Sequence, residues 1–188
     1  MSTHFREPQS VDPRAVVSYW RSAGRGRWFG KDTNFDAEVG RRLGSLHYWA
    51  AAGMLDHLAK SAEGALALII LLDQVPRNMF RGTAQAFATD EHARDIARYA
   101  LSRGFDGRVP RAMRGFFYLP FMHSENEDDQ ALCVALYKQL KDKDSLNYAE
   151  IHRDIIGKFG RFPHRNDALG RATSHAEQQF LGSGGFAG

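Results

Sequence analysis

The chain has 188 residues, 43% hydrophobic and 25% charged, a balance that predicts one globular domain over 1–188 and excludes collagen-like, disordered and disulfide-stapled classes. Its 25 Lys and Arg against 22 Asp and Glu give +3, too mild for a dedicated nucleic-acid binder, and no helix-turn-helix, RNP or zinc-finger spacing is present. The single cysteine, Cys133, rules out an intrachain disulfide; the start lacks a secretory core, and no apolar run approaches the roughly 20 residues of a membrane span, so a cytoplasmic location is expected.

Asp12-Pro13 reads as a cap followed by proline in the first turn, opening a helix through Val16, Val17, Tyr19 and Trp20 that ends before Gly24. A loop runs to Gly30. From Asn34, the apolar positions Phe35, Val39, Leu43, Leu46, Trp49 and Ala50 recur every three or four residues, as on an amphipathic helix. Ser61 to Val75 is the most apolar piece; its cap and Ala-Leu richness predict a helix buried on most sides, terminated by Pro76. Thr83 to Gly104 reads as one helix with a left-handed glycine after its end, and Pro110 to Tyr118 as a shorter one broken by Pro120. Ser124 to Glu127 fits a capping box before the stripe Leu132, Ala135, Leu136 and Leu140. Ser145 is read as the cap of a helix bearing Tyr148, Ile151, His152, Ile155, Ile156 and Phe159 on one face, barred from extension by Pro163. Ser174 to Glu177 is a second capping box, and the ends, 1–10 and 182–188, are expected to fray. No segment alternates with β-branched enrichment, so the predicted fold is all-α, built of antiparallel helix pairs in a compact array.

The runs LALIILLDQVPRNMFRG (Leu66 to Gly82), AFATD (Ala86 to Asp90), FFYLPFMHSE (Phe116 to Glu125) and IIGKFGRFPHRNDALGR (Ile155 to Arg171), with Gln130, are long and specific. Through them the chain resembles the bacterial family catalogued as domain of unknown function 924. WFGKDTNFD (Trp28 to Asp36) agrees more loosely, and Thr173 to Glu177 departs from the more usual Thr-Pro-Glu-Glu. The resemblance implies an all-helical fold similar to the tetratricopeptide-like superfamily and does not supply an activity.

Those same runs hold the polar residues whose positions need explaining. Asp73 follows eight apolar residues, and a buried unpaired carboxylate costs several kcal/mol, so it must find a guanidinium: Arg77, Arg81, Arg161 or Arg165. Two strings, Val75-Pro76-Arg77-Asn78 and Phe162-Pro163-His164-Arg165-Asn166, each place Arg and Asn beyond a proline. Either these side chains cap helix ends, or Arg77, Arg161 and Arg165 form an anion cluster oriented by Asn78 and Asn166. Glu125 is explained by a helix N-terminus, whereas His123, with His152 and His164, offers acid-base chemistry. The histidine spacings match no zinc signature, and no phosphate-cradling glycine loop or nucleophile elbow occurs, so no metal or cofactor is assigned. Cys133 reads as packing. The expectation is a helical protein holding a small anion or peptide carboxylate. One alternative is a hydrolase with His123 or His152 as general base. The other is a structural network, with function through protein contacts.

Overall fold

The computed structural model describes residues 11–186; the expected fraying at 1–10 and at the last two residues lies outside them. Among the described residues there is no strand, and no helix is long and apolar enough to cross a membrane. Helix α1 (Pro13–Ala23) starts where Asp12 accepts the Arg14 N–H, and it buries Val16, Val17 and Trp20. The expected loop after Gly24 contains a short helix, α2 (Arg25–Trp28), because the Trp28 Nε1–H reaches back to the Trp20 carbonyl at 2.6 Å. Asp32 caps α3 (Thr33–Ala51), whose buried face carries Phe35, Val39, Leu43, His47 and Ala50.

The centre of the fold is the apolar run, capped by Ser61 and buried without interruption from Gly64 to Pro76. A β-carbon on Gly64 would stand 2.0 Å from the Leu58 carbonyl oxygen, so only glycine lets the rod start against the preceding turn. Each fully buried Leu or Ile of this rod contributes about 1.5–3 kcal/mol relative to exposure. Pro76 does not end the rod, contrary to the sequence reading. Helix α4 (Ala62–Ile69) passes into a π turn (Ile70–Gln74) and straight on into α5 (Val75–Met79), with Pro76 in its first turn. The carbonyls left without donors are taken by side chains: His47 Nδ1–H bonds Leu71 O at 2.8 Å, and the Thr89 hydroxyl bonds Leu72 O.

Around the rod, α1 runs along α4, α3 along α5, and α6 (Asp90–Ser102) along α4. The predicted Thr83–Gly104 helix is divided at Ala88 and Thr89, since Thr89 is turned to cap the rod; Gly104 does take the left-handed φ of 64°. Pro120 likewise opens rather than breaks a helix: α7 (Arg111–Arg114) leads through a tight turn to α8 (Leu119–Met122). Helix α9 (Glu127–Leu140) is capped by Asn126 and not by Ser124, whose hydroxyl is spent on buried Asp129 at 2.7 Å. Left-handed Lys141 and the cap Asp142, in place of the expected Ser145, are all that join α9 to α10 (Lys143–Phe159), so the two pack as an antiparallel pair. The predicted Ser174–Glu177 capping box opens α11 (His175–Gly182). A second, smaller core of Ile155, Ile156 and Phe162 sits between α10 and α11. Phe186, in the tail expected to fray, packs there on His152 and His164 with ring centroids 4.5 and 5.4 Å away.

Candidate functional site

The π turn places Asp73 at the rod's inner end with no exposure at all. One carboxylate oxygen accepts the Gln74 amide at 2.5 Å; the other faces His123 Nδ1 at 2.7 Å and Arg77 Nη1 at 3.2 Å. A carboxylate can only accept here, so His123 carries its proton on Nδ1 and presents a basic Nε2, which bonds no described residue. Arg77 also grips Asp90, from the start of α6, with two parallel bonds of 2.8 and 2.9 Å. Its Nη1 further bonds the Asp73 carbonyl, and Asn78 bonds the Gln74 carbonyl at 3.0 Å, so both side chains serve carbonyls of the π turn inside the continuous rod.

Arg165, in the turn Pro163–Arg165, stands in a different condition. Its side chain is 7% exposed and lies between the rings of Phe87 and Phe162, 4.6 and 4.5 Å from their centroids. None of its nitrogens donates a hydrogen bond among the described residues; the nearest carboxylate oxygen is Asp90 Oδ2 at 3.5 Å, and the enclosed Nε has no partner. His164 Nδ1 beside it is also enclosed and unbonded. Phe162, one wall of the sandwich, is held by its backbone: Glu125 Oε1 accepts its N–H at 2.8 Å, and Arg171 donates to its carbonyl at 3.1 Å. Arg171 and Glu125 bond each other at 2.7 and 3.0 Å, and Arg171 Nε holds Asn166 at 3.0 Å.

Burial and neighbouring charge set the protonation of these groups. Burial alone would raise Asp73, but Arg77, His123 and Gln74 together hold it well below the ordinary carboxylate range. Burial, then the Arg77 charge, lowers His123 against the pull of Asp73. Burial pushes His152 down to about 3, and burial with Arg165 pushes His164 down to about 4, so both imidazoles are neutral at pH 7. Burial beside Arg77 brings Arg165 down to about 10. Burial would raise Glu125, yet its bonds to Arg171 and the Phe162 N–H lower it.

The family model described as "Bacterial protein of unknown function (DUF924)" matches residues 16–185. The chain belongs to this family. It is similar to the solved structure of a protein of unknown function from Agrobacterium tumefaciens, with 45% identity, a TM-score of 0.88, and coverage of 91% of this chain and 97% of that one. No curated protein matches the chain.

Within this DUF924 chain, the predicted Asp73, Arg77, His123 and Arg165 are linked by contacts through Asp90, and His152 and His164 join them through Phe162, with centroid distances of 5.4 and 5.6 Å. Asn78, Glu125 and Asn166 are engaged in holding backbone or neighbours around this group. Arg161 departs from the expected anion cluster: it is turned to Glu177 at 2.6 and 2.9 Å and to the Ala172 carbonyl, because the capping box needs that carboxylate fixed. Of the other guanidinium groups considered for Asp73, Arg81 is bound to Asp36 instead. His152 Nδ1 faces the Tyr148 carbonyl at 2.7 Å, as a hydrogen-bonded core histidine does. Sequence reasoning missed Asp90, Phe87, Phe162 and Arg171; the one available signal was that all four lie in the family-defining runs. An open groove of about 550 Å³ between α6 and α9, lined by Glu91, Arg94, Asp95, Arg98 and Asp128, shares none of the predicted residues. Its arginines are both directed to Asp129.

Proposed function

We propose that this protein binds a small anion, a carboxylate- or phosphate-bearing molecule or a peptide carboxylate, at the edge of Arg165. The observation that carries the reading is the buried guanidinium stacked on Phe87 and Phe162, whose enclosed Nε has no partner among the described residues and whose nearest carboxylate oxygen, on Asp90, stands 3.5 Å away. A buried polar group left unbonded costs about 1–3 kcal/mol, more when charged, and such a group has a reason to persist where a ligand completes it. Rings stacked on its faces direct the hydrogen bonds of a guanidinium to its edge, the geometry that pairs with planar oxyanions. We place this activity in a cytoplasmic protein of tetratricopeptide-like helical architecture. Isothermal titration of acetate, succinate, inorganic phosphate and a short peptide into wild type and Arg165→Met tests the reading. Saturable heat that Arg165→Met weakens at least about tenfold, a loss of 1.4 kcal/mol or more, is expected. Flat titrations across the panel would remove the ligand and leave a polar network that fixes helix register, with function on an outer surface.

A second reading, a hydrolase acting on the same bound anion, is favoured by the Asp73–His123 pair. The carboxylate 2.7 Å from Nδ1 fixes the ring and leaves Nε2 as a base. Turnover of an ester or phosphoester that His123→Gln abolishes and His152→Gln preserves is the expected result; turnover indifferent to His123→Gln would dismiss it.

A further inference from the structure

One fixed acceptor stands beside Arg165. The enclosed, unbonded atom of its guanidinium is Nε, whereas Nη1 and Nη2 are unbonded and not enclosed, so a ligand meets the group at its Nη end. There Asp90 Oδ2 lies 3.5 Å from Nη1, too far for a good hydrogen bond between charged groups. Arg77 keeps the gap open, because it holds both Asp90 oxygens in parallel bonds of 2.8 and 2.9 Å. Those same bonds mark Asp90 as a carboxylate, an acceptor with no proton to give. Each oxygen takes one of them, and a carboxylate offers about four lone-pair sites, so Oδ2 has room to accept again. Nη1 and Oδ2 are therefore a donor and an acceptor side by side and unmated. One hydroxyl oxygen mates both, accepting from Nη1 and donating to Asp90. A bare oxyanion oxygen in that place satisfies Nη1 but sets its lone pairs against those of Asp90.

Resting on the anion-binding reading, we propose that Asp90 sets the specificity of the site, and that the ligand is an anion with a hydroxyl next to its charged oxygen: an α-hydroxy carboxylate, or a phosphate group that keeps a P–OH. The charged oxygen bonds the guanidinium at Nη2, and the hydroxyl bridges Nη1 to Asp90. The chemistry is shared by the two sources, carried on carbon in the first and on phosphorus in the second. The rings of Phe87 and Phe162 hold the guanidinium and Arg77 holds the carboxylate, so the donor and acceptor are in place before the ligand arrives.

The experiment is isothermal titration of the full chain at neutral pH with two pairs of probes that differ in the hydroxyl: sodium glycolate against sodium acetate, and sodium phosphate, which keeps a P–OH at this pH, against sodium sulfate, which has none. Glycolate and acetate carry the same charge, so their ratio reads the hydroxyl alone. In wild type the hydroxyl-bearing member of at least one pair is expected to bind about tenfold or more tighter than its partner, and the pair with the larger ratio tells carbon from phosphorus. Asp90→Asn, which can turn an N–H toward the ligand, should erase that ratio. Asp90→Glu keeps a carboxylate for Arg77 but moves the acceptor by one carbon, and it serves as the second variant should Asp90→Asn not fold; it too should erase the ratio. Equal affinities within both pairs in wild type overturn the hydroxyl and leave the anion reading standing. A ratio that survives in a folded Asp90 variant overturns Asp90 as its source. Four flat titrations of wild type overturn the anion reading itself.

Discussion

Replacing Arg165 by methionine separates a guanidinium kept for a ligand from one kept for the fold. Bringing the group from 12.5 to about 10 costs the native state about 3 kcal/mol at neutral pH. The sign is that of a cation whose folded affinity for its proton is depressed: the penalty is full below pH 10 and is relieved as pH rises from there toward 12.5. Against it stand two stacking contacts, on Phe87 at 4.6 Å and Phe162 at 4.5 Å, each worth about 0.5–2 kcal/mol. The Asp90 contact at 3.5 Å adds little, since Arg77 already neutralises Asp90. Methionine reaches as far as the arginine Nε, fills the apolar stem of the side chain and can take up a sulfur–aromatic contact. Arg165→Met is therefore expected to leave stability unchanged or raise it by up to about 2 kcal/mol, or a few degrees in Tm at this chain length. Urea denaturation followed by tryptophan fluorescence measures it. A fall of more than about 1 kcal/mol at unchanged m-value refutes the reasoning and makes Arg165 a structural brace.

Asp73→Asn removes the charge that Arg77 and His123 surround; the price of breaking a buried pair is about 3–5 kcal/mol, and the lower end is expected because Arg77 retains Asp90. Asp73 is depressed in the fold, so its stabilisation is present above the unfolded value of 3.8 and is lost as pH falls through its folded value; the gap between wild type and variant in urea should be constant near neutrality and close in acid. His47→Phe leaves the Leu71 carbonyl without its donor and should cost about 1–3 kcal/mol, with faster hydrogen exchange in α5 than in α10; equal exchange in both would argue that the π turn needs no outside support. Cys133 is enclosed, and burial and then Asp129 push its thiol well above the ordinary range, so native protein should be inert to Ellman's reagent and react only in denaturant.

Features that depend on neighbours within one turn are legible in this sequence. Asp12, Ser61 and the Ser174–Glu177 box cap the helices they were expected to cap, since a cap is a bond between residues two or three apart. Phe35, Val39, Leu43 and Ala50 on α3 and His152, Ile155 and Ile156 on α10 are buried as their spacing implies, whereas Tyr148, expected on the same α10 face, is exposed. Signals of the same kind fail where a distant group competes. Ser124 has the right spacing for a capping box, but Asp129 is nearly fully buried and takes its hydroxyl, so the cap passes to Asn126. Pro76 carries the mark of a stop, yet His47 and Thr89, 24 and 17 residues from the carbonyls they bond, remove the penalty that makes a proline a stop.

The site is subject to the same limit at longer range. Its defining contacts join residues 50 apart for Asp73 and His123, and 46 apart for Glu125 and Arg171. The polar members are recognisable singly because charge in apolar company needs an explanation, but Phe87 and Phe162 look like any core phenylalanine until they are found on either side of a guanidinium. Arg161 and Arg165 are equivalent in composition and four positions apart, and what distinguishes them is three-dimensional. Phe162 is clamped through its backbone by Glu125 and Arg171, so the chain on one side turns outward to Glu177 and on the other inward beneath Phe87. If that clamp sets the sandwich, then Glu125→Gln, which leaves every ring and guanidinium in the sequence, should weaken anion binding at Arg165 while Arg161→Ala leaves it intact. Titration of acetate into both variants decides it, and equal affinities would mean that the stack holds itself.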